Sequence, residues 1–218
     1  MGDSTKVAII GAGNVGGGLG VSLSKGGLSV KFGVRPDADV KALLAQCRDA
    51  SASAPLEAAA WGQVVFLAVP GSAAVEVAGT LAGSLAGKVV VDCNNPLVWK
   101  EGPVWTPPPE GSLAAALAKA APGARVVKGF NTFGAEFHKD PGRAGVPADV
   151  FLAGDDLDAK KLVKDIATQA GFHPVDAGPL RNASVLENVA MLWIHLATVG
   201  GQGRDFTFIM KSLGKAGA

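Results

Sequence analysis

A doubly wound α/β fold, one parallel sheet with helices on both faces, is the fold class this sequence predicts. Three observations carry it. Short apolar runs rich in β-branched residues alternate with helical stretches along most of the chain. Those runs are of the kind that a parallel sheet buries on both faces. The first of them passes straight into glycines at 11, 13 and 16 and then into a helix. A Rossmann-type domain over 1–178 with a small helical extension over 179–218 is the expected division.

Taken in order, Val7 to Ile10 form the first strand, a helix follows over 15–25, and Gly26-Gly27 ends it before a second strand at 28–33. Arg35-Pro36-Asp37 opens a segment with a helix expected over 40–50, then a small-residue turn over 51–55 and a short helix over 55–60. A buried strand spans 64–69 and stops at Pro70; a helix over 72–81 and a strand over 88–92 continue the alternation. The stretch 97–111, with Trp99, Trp105 and Pro107-Pro108-Pro109, is too proline-rich for a helix interior or a central strand and reads as a surface excursion. Ser112 caps a helix to Ala121, strands follow at 125–130 and 149–154 around a loop at 131–145, and a helix over 158–170 leads to a last strand at 172–176. A long helix over 182–198 buries Leu186, Val189, Trp193 and Leu196, and a short helix is expected over 206–213.

Composition narrows the function. Lys and Arg total 20 against 19 acidic residues, which leaves no basic footprint for nucleic acid and no polybasic membrane segment, so a small-molecule partner is expected. No signal pattern opens the chain and no apolar run approaches the roughly 18 residues of a membrane span, so a cytoplasmic protein is expected. Cys47 and Cys93 are far apart, and His138, His173 and His195 share no metal-ligand spacing, so no metal is expected.

The chemistry concentrates at strand ends. Gly11 allows a tight turn, Gly13 lets a pyrophosphate approach the backbone, Gly16 lets the helix pack on the strand, and Asn14 and Val15 open that helix toward the phosphates. About 20 residues further on, where an acid would bind a ribose hydroxyl, stands Arg35, whose guanidinium suits a 2′-phosphate; NADP(H) is therefore favoured over NAD(H). Ala68-Val69-Pro70 and Asn94-Asn95-Pro96 are expected on the same rim, although the latter reads equally as a plain turn. Asn131, Thr132 and Phe133, with His195 as a candidate from the last helix, would form a substrate pocket; a histidine packed on that helix for structure alone is the competing reading. No catalytic triad can be assembled and no catalytic side chain is assigned. Hydride transfer needs little acid–base machinery, because the cofactor carries the chemistry.

The segments Val7 to Gly16, Gly33-Val34-Arg35, Phe66 to Pro70, Val90 to Pro96, Lys128 to Thr132 and Asp176 to Asn182 together resemble the NADP oxidoreductase, coenzyme F420-dependent family. The resemblance spans nearly the whole chain. It implies NADPH at the glycine motif, a backbone contact from Ala135 to the nicotinamide carboxamide, coenzyme F420 or a flavin (FMN, FAD) as hydride acceptor, and often a homodimer. Two positions depart from the F420 reductases: Val34 replaces a small hydroxyl residue, and Asn131-Thr132 replaces His-Thr in a form that looks more like the STEAP branch. A reductase of small carbonyls or imines and a non-catalytic NADPH sensor are the alternatives.

Overall fold

In the computed structural model, residues 4–211 are described. Six strands form one parallel sheet: β1 (Lys6–Ile10), β2 (Ser29–Gly33), β3 (Ala50–Ser53), β4 (Val64–Leu67), β5 (Val89–Asp92) and β8 (Arg125–Lys128), in the spatial order β3-β2-β1-β4-β5-β8. Because every strand runs the same way, every strand's carboxyl end reaches the same edge. The strand order reverses next to β1, between β1 and β4, and that reversal opens the crevice behind the glycine turn.

Period-two alternation sorts the core into two layers. Val7 and Ile9 face one side, packed with Leu19 and Leu23 of α1 (Asn14–Lys25), Phe137 of α6 (Ala135–Lys139), and Val163 and Ile166 of α7 (Leu157–Gln169). Ala8 and Ile10 face the other, against Ala58 of α3 (Pro55–Trp61), Ala74 and Leu81 of α4 (Gly71–Leu85), and Leu113 and Leu117 of α5 (Leu113–Ala120). Both faces are dry, which is why these strands read as unbroken apolar runs. Ser112 caps α5 by accepting from Ala115 N at 3.1 Å, as its position before an alanine-rich run implies.

The remaining elements sit at the edges. The proline-rich excursion stays outside the main sheet but forms an antiparallel ribbon, β6 (Leu97–Trp99) with β7 (Pro103–Trp105). Two further strands, β9 (Asp149–Leu152) and β10 (His173–Asp176), pair parallel with each other and bond to β8 through one antiparallel bridge, Lys128 to Ala153. The long helix α8 (Ala183–Ala197) follows a 3-10 turn at Leu180–Asn182.

Four local expectations are corrected. The helix expected over 40–50 is one turn, α2 (Lys41–Leu44), and the expected small-residue turn is edge strand β3, where backbone pairing from Val30↔Ala50 to Gly33↔Ser53 overrides the poor strand propensity of Ala-Ser-Ala-Ser. The loop expected over 131–145 contains α6. No helix forms over 206–211, because tertiary partners take its backbone groups: Trp193 Nε1 donates to Phe206 O (2.9 Å) and Met210 N donates to Asp149 Oδ2 (2.5 Å). The last two positions of that expected helix lie outside the described residues.

Candidate functional site

The glycine turn is built as a floor with one open position. Gly11 takes φ +103°, and a Cβ there would lie 2.3 Å from Ala68 O; a Cβ on Gly16 would lie 2.2 Å from Gly11 O. Both glycines are therefore consumed by close packing of turn, helix and neighbouring strand. Gly13 differs: it has an ordinary φ of −72°, and a Cβ there would meet nothing within 4 Å. Among the described residues, none fills the space above Gly13. No side chain caps the amino end of α1, so its first N–H groups remain available to an anion.

Gly11 and Gly13 line a cleft of about 840 Å³ together with Arg35, Ala68, Val69 and Pro70, so the structure brings these six sequence-predicted residues to one place. Pro55, Val77 and Leu81 supply its apolar wall. Arg35 stands at the mouth with its side chain 85% exposed and only a loose 3.8 Å pairing to Asp37, so its fork of donors is available for a phosphate. Open backbone, an uncapped helix end, an apolar wall and a free guanidinium together fit a 2′-phosphorylated dinucleotide. Asn14 and Ala135 open instead onto a second groove, of about 1230 Å³, along the outer side of α1. Val15 is half-buried between them, and Gly16 is buried.

The other predicted residues form the supported rim rather than the cleft wall. Asn94 and Asn131 are each only 5% exposed, Thr132 and Phe133 are buried, and Pro96 is buried behind Asn95. Asn131 Nδ2 donates to Asn95 Oδ1 (2.9 Å) and Leu186 O (3.1 Å), while Asn95 Nδ2 donates back to Asn131 O (3.0 Å). With both acceptors facing Nδ2, the Asn131 amide has one orientation, and its Oδ1 is a buried acceptor without a donor. The Phe133 ring stacks on Phe172 at 5.8 Å in the main core. His195 is exposed on α8 beside Gly102 of the ribbon and lines neither cavity.

Sequence reasoning missed the groups that hold this rim. Lys128, Asp92 and Glu187 are all fully buried. Lys128 Nζ donates to Asp92 Oδ2 (2.8 Å), to Glu187 Oε1 (3.2 Å) and to Asn94 O. Asp92 Oδ1 accepts from Asn94 N (3.0 Å) and Asn94 Nδ2 (2.9 Å). Glu187, on α8, also accepts from Leu113 N (2.8 Å) and Trp105 Nε1 (3.1 Å). The available signal was a charge closing each of two apolar strands and a carboxylate on the buried side of an apolar helix.

Two neighbours complete the electrostatics. Burial, with the Asp92 charge adding to it and Lys128 opposing, holds the Cys93 thiol well above its usual range, so no thiolate nucleophile stands at this rim. The family-like segment from Asp176 to Asn182 is a built turn. Partial burial opposes ionisation of Asp176, but Gly178 N–H, Lys160 and Lys164 outweigh it and bring the carboxyl to about 2.

Comparison with known proteins agrees with this geometry. The sequence profile of the family described as NADP oxidoreductase coenzyme F420-dependent matches residues 6–96. The F420-dependent NADP reductase of Methanothermobacter marburgensis is 30% identical over 88% of this chain and 92% of its own. Metalloreductase STEAP3 of Rattus norvegicus is 32% identical over 87% of this chain, which spans only 37% of that protein. Among solved structures, a protein from Arthrobacter sp. FB24 described as an F420-dependent NADP-reductase superposes with a TM-score of 0.86, at 30% identity, over 96% of this chain and 100% of its own. Sheet order, glycine floor and a relative matched over nearly its full length converge: the chain belongs to the NADP oxidoreductase, coenzyme F420-dependent family.

Proposed function

We propose that this chain is an NADPH-dependent reductase that passes hydride to a flat acceptor, coenzyme F420 or a flavin. The carrying observation is the single cleft that joins open Gly13 to exposed Arg35. Gly11, Gly13, Asn14, Val15 and Gly16 bind the pyrophosphate end through backbone and helix terminus, and Arg35 binds the 2′-phosphate. Ala68, Val69 and Pro70 lead the dinucleotide toward the rim formed by Asn94, Asn95 and Pro96, with Ala135 on the adjoining groove past Gly13. When bound, NADPH supplies the hydride; the chain's own contribution is to orient the ring and keep water out. In this reading the part over 1–178 carries the cofactor, and α8 walls the acceptor side next to Asn131, whose Nδ2 donates to Leu186 O (3.1 Å); Thr132 and Phe133 back that side from the core, and His195, exposed on α8, is not part of it. The F420-dependent relative, matched over 92% of its length, supports the deazaflavin acceptor, and a homodimer is part of the proposal.

Two measurements test it. Fluorescence titration should show NADPH binding about 10- to 100-fold more tightly than NADH, with Arg35→Ala removing most of that preference, as expected for loss of a charge-assisted phosphate bond. Equal affinities in the unaltered chain would refute Arg35 as the phosphate ligand. NADPH oxidation is then followed with F420, FMN, FAD and ferric chelates as acceptors; tight NADPH binding without turnover on any of them would mark a sensor instead.

A further inference from the structure

The helix that follows the cofactor domain reaches into the sheet at one point, and that point adjoins the cleft. Glu187 comes from α8, Lys128 ends β8 and Asp92 ends β5, so three separate elements meet in one dry cluster. Lys128 spends all three ammonium donors there, on Asp92, Glu187 and Asn94 O. Glu187 is also fully engaged, through Lys128, Leu113 N and Trp105 Nε1. A satisfied buried cluster of this kind is poor evidence for stability and better suited to fixing register between elements.

What it fixes is the Asn94–Asn95 backbone. Asp92 takes the Asn94 N–H, Lys128 takes the Asn94 carbonyl, and the next residue, Asn95, is clasped by Asn131. The loop is then wedged against the start of α4, where a Cβ on Gly71 would lie 2.3 Å from Asn95 O. Gly71 directly follows Ala68-Val69-Pro70, which line the cleft. An unbroken series of contacts therefore runs from α8 to the cleft wall on the side away from Arg35.

We infer that Glu187 is a positioning residue. Through Lys128 it sets the 93–96 loop against the 68–71 loop, and so seats the nicotinamide half of NADPH while leaving the phosphoadenosine half to Arg35 and the glycine turn. This rests on the proposed NADPH reading. The test compares NADPH with 2′,5′-ADP, which carries the phosphoadenosine half alone, in the unaltered chain, Glu187→Gln and Trp105→Phe, with thermal unfolding run on each. Glu187→Gln should weaken NADPH about tenfold and change 2′,5′-ADP by less than about twofold, as loss of a buried charge-assisted contact acting on one half of the ligand requires. Trp105→Phe, which removes only the indole donor from Glu187 and carries the test if Glu187→Gln fails to fold, should show the same selectivity at about threefold. Parallel weakening of both ligands, or of neither, would overturn the assignment. An unaltered chain that does not bind NADPH would take the proposed function down with it, whereas normal binding there with unselective variants refutes only the role of Glu187.

Discussion

Gly13 is where the packed turn stops filling space. A Cβ added at Gly11 or Gly16 would lie 2.3 or 2.2 Å from backbone oxygen, so a methyl group at either must move main chain. Gly13→Ala should therefore leave thermal stability within about 0.5 kcal/mol of the unaltered chain yet weaken NADPH at least about tenfold, because the methyl occupies the approach of the pyrophosphate. Gly16→Ala should instead cost about 1–3 kcal/mol of stability. Thermal unfolding and dinucleotide titration of the two variants separate these effects; loss of stability without loss of affinity in Gly13→Ala would show that the open space is not the ligand's. The meeting of the glycine turn and Arg35 at one cleft was legible in the sequence because it depends on local backbone and on position after a strand. Lys128 was not, since its partners lie 36 and 59 residues away and only the closed fold brings their charges together.

Among the elements, α6 carries the sharpest constraint. Phe130 is buried in the left-handed region at φ +59°, an uncommon conformation for a bulky residue. His138 of α6 holds that bend, its Nε2 lying 2.7 Å from Phe130 O. Burial drives the imidazole down to about 4, against the raising effect of the Phe130, Ala135 and Gly134 carbonyls. In the unfolded chain the ring takes its proton near 6.5, so between there and about 4 the unfolded state binds more protons, and stability falls as pH falls. The loss across that window should be roughly 3 kcal/mol, and it should largely vanish in His138→Gln, as read from urea midpoints at pH 7, 5.5 and 4. A profile unchanged by the substitution would assign the loss elsewhere. The short α6 went unread because its five residues are held by a histidine–carbonyl contact and by close passage over α1, where a Cβ on Gly18 would lie 2.9 Å from His138 Cβ. Strong periodicity made α7 and α8 legible, whereas β3 has none and exists through its pairing with β2.

At the scale of the whole molecule, the six-stranded sheet with dry layers on both sides is the resistant part, and the periphery is loosely held. Hydrogen exchange should find its slowest amides in β1, β4 and β5, and its fastest in residues 35–39 and 199–203, which are exposed and lie outside strands and helices. Uniform protection across these regions would contradict such a division. No helix among the described residues is long and apolar enough to cross a membrane. The architecture was legible because strand–helix alternation is a global pattern; the ribbon and the β9–β10 pair were not, because their partners are set by what the main sheet leaves uncovered. The exposed position of Arg35 has a consequence for redesign. It sits beyond the last paired residue of β2; its side chain meets Asp37 only loosely, at 3.8 Å, while its carbonyl accepts from Ala38 N (3.1 Å). If Arg35 holds the 2′-phosphate as proposed, coenzyme preference is stored outside the structural core, and an engineer can rewrite it at residues 35–37 without renegotiating the fold, whereas Val34 packs on the core.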